Sequence, residues 1–83
     1  MAQQLAITLY SKSNCPQCTA TKRRLDKRGA VYTVVDVTED ADALAFVLGL
    51  GYQQVPVVYV ESGAHWSGFK PDLIDSALKG AAA

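Results

Sequence analysis

The chain has 83 residues, enough for a single domain over residues 1–83 and too few for a second hydrophobic core. Its formal net charge is zero and 49% of its residues are hydrophobic, which favours a folded globule and gives no overall attraction to nucleic acid or to an anionic membrane. No apolar run approaches the ~20 residues that cross a bilayer, and the N-terminal stretch lacks the pattern of a secretory signal, so we expect a cytoplasmic protein.

The first half of the chain predicts a strand, a helix and a second strand. The stretch LAITLY at residues 5–10 alternates and is rich in strand-forming residues. A helix is expected to follow, with Pro16 in its first turn, an end near Arg28 and Gly29 as the residue that stops it. The stretch VYTVVDV at residues 31–37 predicts the next strand, so the unit fits two parallel strands joined by a helical crossover.

The second half predicts a helix, a hairpin and a terminal helix. In chain order these are a helix capped by Thr38 and ended by Gly49 or Gly51, strands over residues 55–60 and 63–67, a helix opened by Pro71 and a frayed tail over residues 79–83. Leu44, Val47 and Leu48 form a helical apolar stripe on the first of these helices, and Leu73, Ile74, Ala77 and Leu78 are expected to face inward on the last. The whole order is β-α-β-α-β-β-α.

Basic side chains are concentrated in one segment. Residues 12–28 carry six of the eight lysines and arginines and one acid, Asp26. The six are Lys12, Lys22, Arg23, Arg24, Lys27 and Arg28. The segment is either a solvated helix face or a basic collar near the cysteines that favours acidic partners or thiolate anions.

The chemistry of the chain centres on its two cysteines, Cys15 and Cys18, which form the motif CPQC. With Pro16 at the first helical position, Cys15 becomes the N-cap, whose sulfur faces the free N–H groups of the first turn. The helix dipole and nearby Lys12 also favour a thiolate, so we expect the pKa of Cys15 to lie below its ordinary ~8.5. Cys18 lies one turn later, within reach of a disulfide and more buried, which suits it to resolving a mixed disulfide.

A cysteine pair at this spacing can also form a structural disulfide or part of a zinc site. A structural disulfide across three positions closes a very short loop and restrains the unfolded chain little. A closed zinc site needs four ligands, and the only further candidate of the usual kind is His65, which we expect at the surface. A C-x-x-C motif that follows a strand and opens a helix in a β-α-β unit indicates a thioredoxin-like redox pair.

Several stretches resemble those of NrdH-redoxins, glutaredoxin-like members of the thioredoxin superfamily. They are YSK before the cysteines, CxQC, LGY at residues 50–52 and, most diagnostic, HWSGFKP at residues 65–71. The resemblance implies an α/β, thioredoxin-like fold with a four-stranded mixed sheet flanked by three helices. It also implies a dithiol–disulfide oxidoreductase without a bound cofactor, and we expect this protein to be a monomer. Such a protein takes electrons from NADPH through thioredoxin reductase and passes them to the large subunit of class Ib ribonucleotide reductase.

The resemblance also assigns roles by position. Cys15 matches the attacking thiolate and Cys18 the resolving thiol, with no metal site. Pro56 matches the superfamily's cis-proline, and the backbone of Val55 before it pairs with the substrate chain. From the residues alone, a cis bond and an ordinary edge-strand proline remain equally open at this step. Partner-binding residues are expected at Lys12, Pro16, Gln17, Val55, Pro56, Trp66, Ser67, Gly68 and Phe69.

One residue departs from the resemblance. NrdH-redoxins commonly carry Val or Met after the first cysteine, whereas this chain has Pro16, as glutaredoxins do. Glutaredoxins hold glutathione with a glycine pair and an acid in the region where this chain has residues 66–69, so we expect a site that docks protein surfaces. A glutathione-dependent glutaredoxin, a metal or iron–sulfur module and a redox-inert docking domain remain as alternatives.

Overall fold

The computed structural model describes the backbone of residues 5–82 and the side chains of residues 5–78. Three helices and four strands follow in the order β-α-β-α-β-β-α, as the sequence predicted. They are β1 (Ile7–Ser11), α1 (Pro16–Lys27), β2 (Thr33–Asp36), α2 (Ala41–Gly49), β3 (Val57–Val60), β4 (His65–Ser67) and α3 (Pro71–Ala82). The helix assignment of α3 extends beyond residue 78, after which the sequence analysis expected a frayed tail; Ala83 lies outside the described residues.

The strands form one mixed sheet in the order β2-β1-β3-β4. The central strand β1 pairs parallel with β2, through Leu9 and Val34, and antiparallel with β3, through Leu9 and Val58. β3 and β4 form the expected hairpin, with Val58 opposite Trp66. The predicted α/β fold with a four-stranded mixed sheet is confirmed, and the sheet directs the C-terminal end of β1 toward the start of α1, where the cysteines lie.

Two apolar cores cover the two faces of the sheet, because side chains alternate along each strand. The first core joins the sheet to α1 and α3. Its buried members are Ile7, Leu9, Leu25, Val58, Val60, Trp66, Ile74 and Leu78. Arg24 of α1 also forms an ion pair with Asp75 of α3, and this hydrogen bond holds the pKa of the Asp75 carboxyl below its ordinary value.

α2 covers the opposite face with a smaller core. The buried residues of this core are Val37, Ala43, Val47 and Val57. Ala43 and Val47 are four residues apart, so they share one face of the helix. Of the apolar stripe in the sequence, only Val47 is buried, because Leu44 and Leu48 are 42% and 51% exposed. Leu73 on α3 is likewise exposed, because Ile74 and Leu78 form the buried face there.

The start of α2 also differs from the sequence prediction. Asp40, and not Thr38, is the N-cap: its carboxylate accepts a hydrogen bond from the backbone N–H of Ala43 at 3.0 Å. Thr38 is engaged elsewhere, because the carboxylate of Asp36 accepts from its backbone N–H at 2.8 Å and from its hydroxyl at 2.6 Å. This local turn at the end of β2 delays the helix by two residues.

The strands are shorter than the apolar runs that predicted them. β1 begins two residues after the predicted start at Leu5, and β2 spans four residues of the predicted seven. The predicted strand 55–60 loses its first two residues, which form a turn before β3. That turn belongs to the candidate site.

Candidate active site

Cys15 and Cys18 form a disulfide at the N-terminus of α1. Their Cα atoms are 5.1 Å apart. As predicted, Pro16 lies at the first helical position and Cys15 is the N-cap, with extended backbone angles and a sulfur that accepts from the backbone N–H of Cys18 at 3.1 Å. Cys15 is partly exposed, whereas Cys18 is only 2% exposed. The outer sulfur is therefore the one that a partner can reach.

The peptide bond between Val55 and Pro56 is cis, which confirms one of the two possibilities left open by the sequence. The carbonyl oxygen of Val55 lies 3.8 Å from the sulfur of Cys15. A disulfide sulfur carries no proton, so the contact is a packing contact here and could become a weak S–H···O bond only after reduction. Pro56 itself is buried. The turn before β3 thus lies directly against the redox pair.

The loop after β4 is tied to the same site by three hydrogen bonds. The hydroxyl of Ser67 donates to the carbonyl of Gln54 at 3.2 Å, and the backbone N–H of Gly68 donates to the carbonyl of Pro56 at 2.8 Å. The backbone N–H of Phe69 donates to the side-chain oxygen of Gln17 at 3.2 Å. These bonds bring the predicted residues Gln17, Pro56 and 67–69 together around the disulfide.

Gly68 is required by its backbone. Its φ of +88° lies in the left-handed region that side chains other than glycine's rarely adopt. A Cβ at this position would also lie 3.4 Å from the Oε1 atom of Gln17, the acceptor of the Phe69 bond. The glycine therefore allows the loop to approach α1 closely.

The two aromatic residues of the loop have different environments. Trp66 is 6% exposed and packs in the core between the sheet, α1 and α3; its indole N–H has no hydrogen-bond partner among the described residues. Phe69 is 39% exposed. Trp66 therefore anchors the loop to the hydrophobic core, and Phe69 is the aromatic residue of the loop that is exposed to solvent.

Two clefts flank Cys15. One of them, with a volume of about 380 Å³, lies between the start of α1, α2 and the turn before β3. Its lining residues include Lys12, Cys15, Leu44, Leu48, Tyr52 and Val55. Sequence reasoning did not place Leu44 and Leu48 at the site, although apolar residues beside a helix's buried face are the signal that could have identified them. We call this the apolar cleft.

His65 lies at the start of β4. Its Nδ1 atom is 2.8 Å from the hydroxyl of Tyr52, and its ring stacks on Tyr59 with 6.1 Å between centroids. Within the described part of the chain, no three His, Cys, Asp or Glu residues group as a metal site would require. His65 is exposed, as expected, and its contacts are aromatic and hydrogen-bonded.

Comparison with known proteins agrees with this geometry. The Glutaredoxin family model matches residues 7–66, which span β1 through most of β4. The chain belongs to the glutaredoxin family. The glutaredoxin-like protein NrdH of Salmonella typhimurium is 41% identical over 71 residues, which cover 86% of each chain. A solved structure of the glutaredoxin-like NrdH-redoxin from Escherichia coli superposes with a TM-score of 0.81 at 37% identity, covering 87% of this chain and 93% of that chain.

These relatives show that the chain is a glutaredoxin-like redoxin of the NrdH type with a thioredoxin-like fold. With its disulfide-forming Cys15 and Cys18, the redoxin is a thiol–disulfide oxidoreductase. None of the helices within residues 5–82 is both long enough and apolar enough to cross a membrane.

Proposed function

We propose that this redoxin is an electron carrier between a thioredoxin-reductase-type flavoenzyme, which draws on NADPH, and the large subunit of class Ib ribonucleotide reductase. In this proposal it acts as a cytoplasmic monomer with no cofactor or metal of its own. The redoxin carries two electrons in its reduced, dithiol form, which the reductase regenerates after each turnover.

The two cysteines divide the exchange reaction between them. In the reduced protein the N-cap position stabilises a Cys15 thiolate, because the Cys18 N–H donates to its sulfur and α1 has no acidic residue in its first turn. This thiolate attacks a disulfide sulfur of the partner and forms a mixed disulfide. Buried Cys18 then loses its proton and attacks Cys15, which restores the intramolecular disulfide and releases the partner as a dithiol.

The observation that carries the choice of protein partners is the anchored loop of residues 67–69. It is bonded to Gln17 of the CPQC motif on one side and to Pro56, next to Val55, on the other, and its Phe69 is 39% exposed. An exposed apolar side chain on a loop that is anchored to residues flanking the redox pair suits docking against a protein surface. The solved structure of the Escherichia coli relative is described as the basis of a thioredoxin-like activity profile, which supports a thioredoxin-like activity for this chain as well.

The remaining predicted site residues have proposed roles that follow from their places. Val55 offers backbone to an extended partner segment beside Cys15, and Pro56 holds that turn. Pro16 begins α1 and so places Cys15 at its N-cap. Lys12 adds positive charge to the apolar cleft beside Cys15.

A glutathione-dependent reaction is the second candidate. Pro16 is the residue that glutaredoxins carry, and the apolar cleft beside Cys15 also contains Lys12, which could pair with a carboxylate of a tripeptide.

Pairing with reductases separates the two candidates. The oxidised protein is supplied with NADPH and thioredoxin reductase, or with NADPH, glutathione and glutathione reductase, and insulin disulfide reduction is followed. We expect turnover with the first system and background rates with the second. Turnover with glutathione alone would replace the proposal by the glutaredoxin candidate. Cys15→Ser is the control that removes exchange in both.

A further inference from the structure

A second cleft lies against the cysteines, distinct from the apolar cleft. Its volume is about 560 Å³, and it borders both cysteines, whereas the apolar cleft borders Cys15 alone. The remaining lining residues are Lys12, Ser13, Asn14, Pro16, Thr19 and Lys22. We call it the polar cleft. A segment that reaches Cys15 through it passes along the first two turns of α1.

The polar cleft is positively charged. Lys12 and Lys22 are the only charged residues that line it, and no carboxylate does. The first turn of α1 contains no acidic residue, so nothing there offsets the positive end of the helix dipole. Two lysine charges and a helix N-terminus therefore act in the same direction on the sulfur of Cys15.

The acidic side chains around α1 are engaged outside this cleft. Asp36 accepts two hydrogen bonds from Thr38, which are the main reason that the pKa of its carboxyl is lowered; the charge of Lys22 adds to the effect. Asp75 is held by Arg24 on another face of the helix. The charge of Lys22 is thus partly offset by Asp36, but neither Asp36 nor Asp75 lines the cleft, and both charged residues that do line it are lysines.

We propose that the polar cleft receives an acidic polypeptide segment that flanks the partner's reactive disulfide, and that Lys22, together with Lys12, selects for it. Opposite charge close to the reacting sulfurs raises the rate of encounter and aligns the segment, since a field of this kind steers charged partners. The inference deepens the proposed function and rests on its dithiol exchange, but it requires neither the reductase nor ribonucleotide reductase to be the partner.

The reaction that tests the proposal is exchange with a peptide. The Cys15 thiolate attacks one sulfur of a peptide disulfide, and the released peptide sulfur takes up a proton. Cys18 then gives up its proton and attacks Cys15, and the second peptide sulfur is protonated. One protein dithiol is oxidised and one peptide disulfide is reduced, so electrons and protons balance.

The experiment uses synthetic peptides that share one intramolecular disulfide and differ only in two flanking residues: Asp-Asp, Ser-Ser or Lys-Lys. Second-order rate constants for the reduced protein are measured at an ionic strength of about 0.01 M, where the Debye length is about 30 Å, and again at about 0.5 M. Proteins compared are the wild type, Lys22→Gln, Lys12→Gln/Lys22→Gln and Lys27→Gln. Lys27 lies on the same helix outside both clefts, so its variant matches Lys22→Gln in charge and side-chain type.

We expect the wild type to reduce the acidic peptide about tenfold faster than the basic one at low salt, and Lys22→Gln to lower the acidic-peptide rate about threefold. The double variant should lose most of the selectivity, Lys27→Gln should keep it, and high salt should remove it. The rate of alkylation by neutral iodoacetamide, measured as a function of pH, reports the fraction of Cys15 that is present as the thiolate. If the lysine variants slow alkylation and all three peptides equally, the lysines tune the thiolate and the proposal is overturned.

Two further outcomes would also overturn it. One is equal selectivity in Lys22→Gln and Lys27→Gln, which would assign the effect to net charge. The other is a Lys22 dependence that appears with oxidised glutathione and not with the peptides, which would make the cleft a tripeptide site. Because no reductase is present in the assay, failure of the proposed electron source leaves these results unaffected.

Discussion

At the scale of single residues, Cys15 and Cys18 differ in burial, and this difference supports the separate roles proposed for them. Cys18 is 2% exposed and sits behind Cys15, so replacing it leaves the first attack possible and blocks the second. We predict that Cys18→Ser forms about one equivalent of a stable mixed disulfide with a partner and then stops, whereas Cys15→Ser forms none. Mass spectrometry of the quenched reaction distinguishes the two. Sustained turnover by Cys18→Ser at the wild-type rate would contradict the assignment.

Gln17 has a positioning task that can be tested with a matched pair of substitutions. Gln17→Met keeps the shape of the side chain and loses the acceptor for the Phe69 N–H, while Gln17→Glu keeps an acceptor oxygen. We expect Gln17→Met to cost about 1 kcal/mol of stability and to raise the KM for the reductase several-fold with little change in kcat. Gln17→Glu should restore the KM. Equal KM values for the wild type and Gln17→Met would show that the loop does not depend on this bond.

At the scale of elements, the connection from α1 to β2 contains a tyrosine whose titration should be visible in stability. Burial, and then a hydrogen bond from its hydroxyl to Asp26 at 2.8 Å, raise the pKa of Tyr32 from 10.0 to about 12. The folded state therefore favours the neutral phenol, and this contribution is complete below pH 10 and is lost as the pH rises through about 12.

The corresponding prediction concerns Tyr32→Phe. The variant should be less stable than the wild type at pH 9, because the bond to Asp26 is gone, and the difference between the two proteins should shrink by pH 11.5. Urea unfolding at both pH values measures it. A constant difference would mean that the tyrosine titrates alike in the folded and unfolded chains.

The sequence predicted the existence and order of the elements well because the relevant signals are local. A proline after a strand set the start of α1, and Gly29, with a φ of +69°, ended it. The sequence-based prediction was wrong where two local signals compete. Thr38 is a favourable N-cap residue, but its hydroxyl donates a hydrogen bond to the Asp36 carboxylate, and Asp40 caps α2 instead. Periodicity also could not tell which of two adjacent apolar residues faces the core, as at Val47 and Leu48.

Motifs in the sequence point to the candidate site residues, whereas the hydrogen bonds that join these residues could not be predicted. The cysteines, the cis-proline step and the loop residues could be named from motifs, because each has a characteristic neighbour in sequence. The bond from Phe69 to Gln17 joins residues 52 positions apart, and no local pattern reports it. The place of Lys22 in the polar cleft depends in the same way on how α1 lies beside the end of β1.

At the scale of the whole molecule, a buried leucine and an exposed leucine should contribute very differently to stability. Leu9 is fully buried in the central strand, and Leu48 is 51% exposed in the apolar cleft. We expect Leu9→Ala to lose 2–5 kcal/mol, roughly half of what a domain of this size has, and Leu48→Ala to lose less than about 0.5 kcal/mol. Urea denaturation gives both values. A loss at Leu48 as large as that at Leu9 would mean that the cleft wall is part of the core.

Reconstitution of the full electron path tests whether the redoxin links thioredoxin reductase to ribonucleotide reductase. NADPH, thioredoxin reductase, the redoxin and class Ib ribonucleotide reductase are combined, and deoxynucleotide formed is compared with NADPH consumed. The account predicts product that depends on the redoxin, one NADPH per deoxynucleotide, and none with Cys15→Ser. Product formed only when glutathione and glutathione reductase replace thioredoxin reductase would contradict it.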